Sequence, residues 1–388
     1  MIETPQVLAS VVERAMQSQC VALDTEFVWE RTYYPSLGVI QIALSAEETF
    51  LIDVPAIGDV SPIGKLLANP RVVKILHDAP QDLTILRQAT GAFPLNIFDT
   101  RCAAGFVGLK STISLQDLLR NLLGVHLPKT ETRTDWLRRP LSEKQLEYAS
   151  DDVRYLHATR ETILSQVQDK GREGWLAEEL AEYNDPKLYE EKDSQQQFRH
   201  VKGAGRLAAR KLAILQKLTE WREDEARRQN HPRAHVVSDE VLINLTKQKP
   251  QFISQLKSVK GLSEREIQRY GAEVLKAIEK GLSINEKDCP QPPIRHEDGD
   301  SVNARIDFAL AFMKGKSADS GIDPALVASR SEIRALVCKW PNAAPENHSL
   351  LRGWRREFLG EELLTLLSGQ HSVRLDPKTG LPRLYRDV

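Results

Sequence analysis

Apolar positions in the first 170 residues follow two spacings, and each spacing predicts an element. Val7, Leu8, Val11 and Val12 recur at helical intervals opposite Glu13 and Arg14, which predicts a short helix over 6–19. Val21-Ala22-Leu23 is instead a compact apolar run, a strand that ends in Asp24-Thr25-Glu26-Phe27. Residues 39–44 and 49–54 are two further strands joined by a short polar turn, the pattern of a hairpin. Residues 63–67 read as helix and 72–76 as a buried strand ending at His77-Asp78. A helix from about Pro80 carries Asp82, Leu83, Ile85 and Leu86, and residues 96–99 form another strand end. Residues 101–126 read as helical, and 128–140 as a polar loop holding Arg133, Asp135 and Trp136. Ser142-Glu143-Lys144-Gln145 is a capping box, so a helix is predicted from 142 to about 168. Strands gathered first and then alternating with helices predict an α/β domain built on a mixed sheet flanked by helices.

Beyond this domain, taken as residues 1–184, the strand rhythm disappears. Residues 185–204 are polar and read as a linker; 205–284 are helical; 285–300, with Pro290, Pro292 and Pro293, form a second linker. Residues 301–370 are helical again, and 371–388 form a basic, loosely ordered tail. The two helical regions resemble each other. Gly261-Leu262, Tyr270-Gly271-Ala272-Glu273-Val274-Leu275 and Ile278 parallel Gly353-Trp354, Leu359-Gly360-Glu361-Glu362-Leu363-Leu364 and Leu367, which predicts a duplicated module.

Composition narrows the class. At 388 residues with 41% hydrophobic and 28% charged residues, the chain is long enough for two or three soluble domains. No run approaches membrane-spanning length, and the N-terminus lacks the basic and apolar regions of a signal peptide. Four scattered cysteines without a C-x-x-C pair fit a reducing cytoplasm and argue against a zinc site. The formal charge of −1 hides an asymmetry: residues 202–281 hold 17 Lys and Arg against 10 Asp and Glu. A basic segment beside an acidic one suits a phosphate-binding module joined to a metal-binding catalytic domain, or simply a helical domain with solvated lysines.

The acids supply the chemistry. Residues i and i+2 of a strand share a face, so Asp24 and Glu26 point together and Thr25 points the other way. Such a pair repels unless protons or cations neutralise it, and hard divalent cations take oxygen ligands. Taken alone, the two could equally be solvated acids on a strand edge. Asp82 is predicted just beyond a strand end, where ligands gather in α/β sheets, although helix first turns favour acids anyway. Tyr148 and Asp152 lie four apart on one helix face, with Asp151 close to it, and spacing leaves open which carboxylate is used. Together these positions offer four carboxylates and a phenol. Two divalent ions about 4 Å apart need such a set for in-line displacement at phosphorus. One would activate the attacking water, the other would stabilise the leaving 3′-oxygen, and Tyr148 could orient the water. No serine or cysteine triad or Walker lysine competes, and Gly203-Ala204-Gly205 is too short for a phosphate loop.

Leu23-Asp24-Thr25-Glu26-Phe27, His77 to Leu83 and Tyr148-x-x-x-Asp152 resemble the three motifs of the DEDDy 3′→5′ exonucleases. Arg31 to Gly38, Asp99-Thr100 and Arg133-Thr134-Asp135-Trp136-Leu137 sharpen the likeness to the bacterial ribonuclease D family. Lys202-Gly203-Ala204, Trp221-Arg222, Val259-x-Gly261-Leu262 and Arg269-Tyr270-Gly271 resemble its HRDC domain, and 301–370 sits where that family has a second such module. The resemblance implies an RNase H-like domain with a five-stranded mixed sheet followed by two all-α HRDC-type domains. It implies Asp24, Glu26, Asp82 and Asp152 as metal ligands, Tyr148 as a further catalytic residue, and two Mg²⁺ or Mn²⁺ ions. It also implies release of 5′-mononucleotides from the 3′ ends of tRNA precursors and other small structured RNAs. A cytoplasmic monomer is expected. Asp78 and Pro80 depart from the usual motif, although Pro is accepted in a helix first turn.

Phe27, Tyr33, Arg133 and Trp136 are candidates for substrate contact. Phe27 could as well be core, and Arg133 could pair with Asp135. In the helical modules Arg210, Lys211, Arg227, Arg228 and Arg269 could track phosphates. Rival readings are a DNA exonuclease of the Werner type, which contacts to the 2′-hydroxyl would exclude, and an inactive scaffold, which would have lost at least one acid.

Overall fold

The computed structural model describes residues 1–128, 134–190, 193–292, 299–342 and 348–386. These fall into two compact units, one of Met1–Glu26, Leu37–Tyr189 and Glu297–Val388, the other of Phe27–Ser36 and Glu190–His296.

In the first unit, α1 (Pro5–Gln17) buries the predicted stripe of Leu8, Val11 and Val12. Strands β1 (Cys20–Val28), β2 (Ser36–Ala43) and β3 (Thr49–Asp53) follow. After the short helices α2 (Val54–Ile57) and α3 (Ile63–Leu67) come β4 (Val73–Leu76), α4 (Pro80–Thr90) and β5 (Ile97–Asp99). The sheet order is β3-β2-β1-β4-β5, with β2 and β3 antiparallel and β1, β4 and β5 parallel. This is the expected mixed five-stranded sheet. Strand alternation builds its two layers. Val21, Leu23, Ile40 and Ile42 join α1, α3 and α4 in one core, while Ala22, Ala43, Ile75 and Phe98 face the other. β1 pairs with β4 only over Cys20–Ala22, so its acidic end runs past the paired stretch.

Two predicted helices are each divided. Residues 101–126 form α5 (Thr100–Ala104) and α6 (Leu115–Leu123), because Gly105 follows the first, Gly108 turns with φ 97° and Ser114 caps the second. α7 (Glu143–Arg154) starts at the Ser142–Gln145 capping box, with both reciprocal bonds formed. It ends at Tyr155, whose ψ of −2° breaks the helical run before α8 (Leu156–Asp169). α9 (Glu173–Ala181) completes this half.

The second unit is helical, as its periodicity predicts. Helices α10 (Ala209–Gln229), α11 (Arg233–Val236), α12 (Asp239–Gln248), α13 (Ile253–Leu256) and α14 (Glu264–Ser283) enclose Leu215, Leu218, Val241, Leu245, Val274 and Ile278. The segment Phe27–Ser36 belongs to this unit: the Tyr33 hydroxyl donates to the Glu223 carboxylate at 2.7 Å, and the Tyr34 amide to Asn230 at 3.2 Å.

The C-terminal residues return to the first unit. They form α15 (Asp300–Ser320), α16 (Pro324–Val327), α17 (Arg330–Lys339), α18 (Gly353–Arg355) and α19 (Glu361–Leu367). Residues 301–370, expected as a module of their own, share one hydrophobic core with the α/β half: Phe106, Val167 and Leu176 pack with Phe312, Trp354 and Leu359. Arg355 forks onto Glu179 with two 2.7 Å bonds. The likeness to α14 is local, since a five-residue π-helix at Arg356–Gly360 interrupts the matching stretch. The tail is not loose: β6 (His371–Leu375) and β7 (Pro382–Arg386) pair as an antiparallel hairpin, and Pro382 packs on Gly315.

Candidate active site

Asp24 and Glu26 on β1 meet Asp152 on α7, and one carboxylate oxygen from each lies within 4.8 Å of the others. Thr25 points to the opposite face, as the strand period requires, and its hydroxyl donates to the carboxylate of Asp82 in the first turn of α4. Asp82 is 8% exposed. Tyr148 lies one turn before Asp152 and hydrogen-bonds to its carboxylate. Spacing left Asp151 and Asp152 as alternatives; Asp151 pairs with Arg154 at 2.8 Å, and Asp152 joins the cluster.

Crowding and burial shape the electrostatics. Burial, then repulsion from Asp82, Asp152 and Glu26, pushes the Asp24 carboxyl well above the usual carboxylate range. Burial, then Asp152 and Asp82, pushes Glu26 up to about 9. Burial pushes Asp82 up to about 7 against the Thr25 hydrogen bond, and burial with Asp151 pushes Asp152 up to about 7 against the Tyr148 bond. Burial, then the neighbouring carboxylates, pushes the Tyr148 phenol up as well, so it remains a hydrogen-bond donor. Asp24 and Glu26 therefore favour their protonated forms at neutral pH, and Asp82 and Asp152 titrate close to it, so that a cation entering the site competes with protons. An all-oxygen donor set under this repulsion fits a hard divalent cation.

Residues 1–168 match the family model for 3′-5′ exonucleases, and residues 211–278 that for the HRDC domain. A ribonuclease D from Desulfotalea psychrophila is 43% identical over 362 residues, spanning 92% of this chain and 96% of its own. The chain belongs to the ribonuclease D family. Ribonuclease D from Escherichia coli is 34% identical over 371 residues, or 95% and 98% of the two chains. The crystal structure of an E. coli RNase D, described as an exoribonuclease involved in structured RNA processing, matches with a TM-score of 0.84 at 33% identity. It covers 95% of this chain and 98% of that one. As a ribonuclease D the chain is a hydrolytic 3′→5′ exoribonuclease that acts on RNA and uses divalent metal. Among the described residues, no helix is long and apolar enough to cross a membrane.

The remaining candidates are placed as follows. Arg133 lies outside the described residues. Trp136 is 3% exposed, with its ring centroid 6.1 Å from that of Tyr148, so it packs behind the phenol rather than facing solvent. Tyr33 is engaged within the helical unit, where Arg233 and Arg227 sit 5.0 and 5.6 Å from its ring. Phe27 is partly exposed on β1. Arg210 donates to the carbonyls of Leu282 and Ile284, Arg228 forks onto Glu225, and Arg269 donates to Gln229. These arginines brace the helices instead of presenting open forks.

Two features went unread in the sequence. Arg139 forks onto Asp53 at 2.6 and 2.8 Å and donates to the carbonyls of Trp136 (2.8 Å) and Gly38 (3.0 Å), fastening the 134–140 loop to β2 and β3. Gly38 permits this closure, since a Cβ there would lie 2.5 Å from the Trp136 oxygen. A cleft of about 190 Å³ is lined by Gln116, Leu127, Pro128, Lys144, Glu147, Tyr148, Asp151 and Asp152. Lys144 could have been found from its position four residues before Tyr148 on the same helix face.

Proposed function

We propose that the protein trims 3′ extensions of tRNA precursors and other small structured RNAs, releasing 5′-mononucleotides with two bound Mg²⁺ or Mn²⁺ ions. It acts as a monomer in the cytoplasm. The observation that carries this reading is the convergence of Asp24, Glu26 and Asp152 within 4.8 Å, with Asp82 latched to the intervening Thr25. Asp24, Glu26, Asp82 and Asp152 would hold the ions, which when bound supply Lewis acidity at the scissile phosphate and to the attacking water. Tyr148, kept protonated by its setting, orients that water by hydrogen bonding and does not serve as its base. Phe27 offers its exposed face to the terminal base, and Lys144 in the cleft beside Tyr148 offers a cation to a neighbouring phosphate.

The test is nucleotide release from a 3′-extended tRNA transcript, with a matched DNA single strand alongside. Asp24→Ala is expected to abolish release with little loss of RNA binding, and EDTA is expected to do the same. Full activity in either condition would overturn the mechanism, and faster cleavage of the DNA strand would overturn the substrate.

A further inference from the structure

Asp99-Thr100 has no place in the chemistry above, yet it ends the strand beside the turn that delivers Asp82. That turn lacks ordinary supports. The residue before α4 is Ala79, which has no capping side chain, and Pro80 contributes no amide. Asp78 sits at φ 63°, in the left-handed region that residues other than Gly, Asn and Asp rarely adopt.

The missing cap comes from another strand. The Asp99 carboxylate accepts from the amides of Asp78 at 3.1 Å and Ala79 at 3.0 Å. It also caps α5 through the amides of Arg101 (2.8 Å) and Cys102 (3.3 Å), and accepts from the Tyr183 hydroxyl at 2.7 Å. Five donors thus meet one carboxylate that is 2% exposed. Thr100 continues the clamp, its hydroxyl lying 3.0 Å from His77 Nδ1 and 3.1 Å from the Leu76 carbonyl. Arg101 pairs with the Asp78 carboxylate. The clamp begins where sheet pairing stops, since Leu76 opposite Asp99 is the last register pair of β4 and β5.

We infer that Asp99 is a positioning residue for Asp82: by tying the β4–α4 turn to β5, it sets where the Asp82 carboxylate stands relative to Asp24, Glu26 and Asp152. The Thr25 hydroxyl also holds Asp82, but it fixes a carboxylate oxygen and not the helix that carries it. Partners behind a ligand are worth about 10–100-fold in metal affinity or activity. The inference rests on the divalent-ion reading of the cluster.

The experiment is calorimetric titration of the full-length protein with Mn²⁺, read beside kcat, KM for a 3′-extended tRNA, and thermal melting. Absence of Mn²⁺ binding in the unaltered protein would overturn the metal reading itself. Asp99→Asn keeps the size of the side chain but turns an N–H toward a donor. It is expected to weaken Mn²⁺ binding about tenfold and to lower kcat by a similar factor, with KM within about twofold. In an Asp82→Asn background the same substitution is expected to have no further effect on Mn²⁺ binding, because its route to the ion is gone. An unchanged titration, or an equal loss in both backgrounds, would overturn the positioning role while leaving the metal reading intact. If Asp99→Asn does not fold, Thr100→Val replaces it, with a smaller loss that again vanishes in the Asp82→Asn background. Equal losses there would likewise overturn it.

Discussion

At the scale of single residues the site is governed by burial first and by repulsion second. Asp82 and Asp152 at about 7 and Glu26 at about 9 all stand above the ~4 of a free carboxylate. A carboxyl whose folded value is raised binds its proton more tightly in the native chain. It therefore stabilises the fold at low pH, and this contribution is lost as the pH rises through 7 for the aspartates and 9 for Glu26. Metal-free protein is expected to melt at a lower temperature at pH 9 than at pH 6. Added Mn²⁺ should raise the melting temperature far more at pH 9, where fewer protons compete. Asp24→Asn should flatten the difference, and a flat profile in the unaltered protein would contradict the crowding. The strand period alone made Asp24, Thr25 and Glu26 legible, because i and i+2 must share a face. The latch from Thr25 to Asp82 was not, because it joins residues 57 apart in the chain.

At the scale of elements, local chemistry reveals where α7 starts but neither where it ends nor how the loop before it packs. Ser142 and Gln145 announce the helix start, and Tyr148 and Asp152 share its inner face. Spacing alone does not choose between Asp151 and Asp152; the resemblance implies Asp152, and the pairing of Asp151 with Arg154 agrees with it. An aromatic residue on a polar loop with Asp135 and Arg138 is a candidate for substrate contact, yet the Trp136 ring is buried. Its burial depends on the bare backbone of Gly38 and on the Arg139 fork to Asp53, both distant in sequence. Trp136→Ala should therefore cost about 3 kcal/mol of stability, as large-to-small core changes do. It should lower kcat by loosening Tyr148 while leaving KM for RNA nearly constant. Raised KM in a protein of undiminished stability would instead place the ring at the substrate.

At the scale of the whole chain, amphipathic periodicity showed that residues 301–370 are helical but not what covers their apolar stripe. The answer is the nuclease half: Trp354 stacks with Trp175 at 5.9 Å, and Arg172 donates to the carbonyls of Phe106 and Gly321. A chain ending at residue 290 would leave Phe106, Val167 and Leu176 without part of their covering. We expect such a truncation to aggregate or to lose cooperative melting, as judged by size-exclusion chromatography and calorimetry. A soluble, fully active product would show that the α/β half buries its own surface.

The stretch of β1 from Ala22 to Phe27 carries two jobs on alternate residues: the clustered carboxylates of Asp24 and Glu26 on one side and the hydroxyl latch to α4 on the other. Because that alternation has a period of two, its information lies in length as much as in residue identity. Inserting or deleting a single codon within it would exchange the two faces at once, aiming Thr25 at the Asp152 side and the acids at the helix. Substitutions here can be graded in their effect, but a frame-preserving change in length cannot. Homologues should accordingly vary the side chains of this stretch before they vary its residue count.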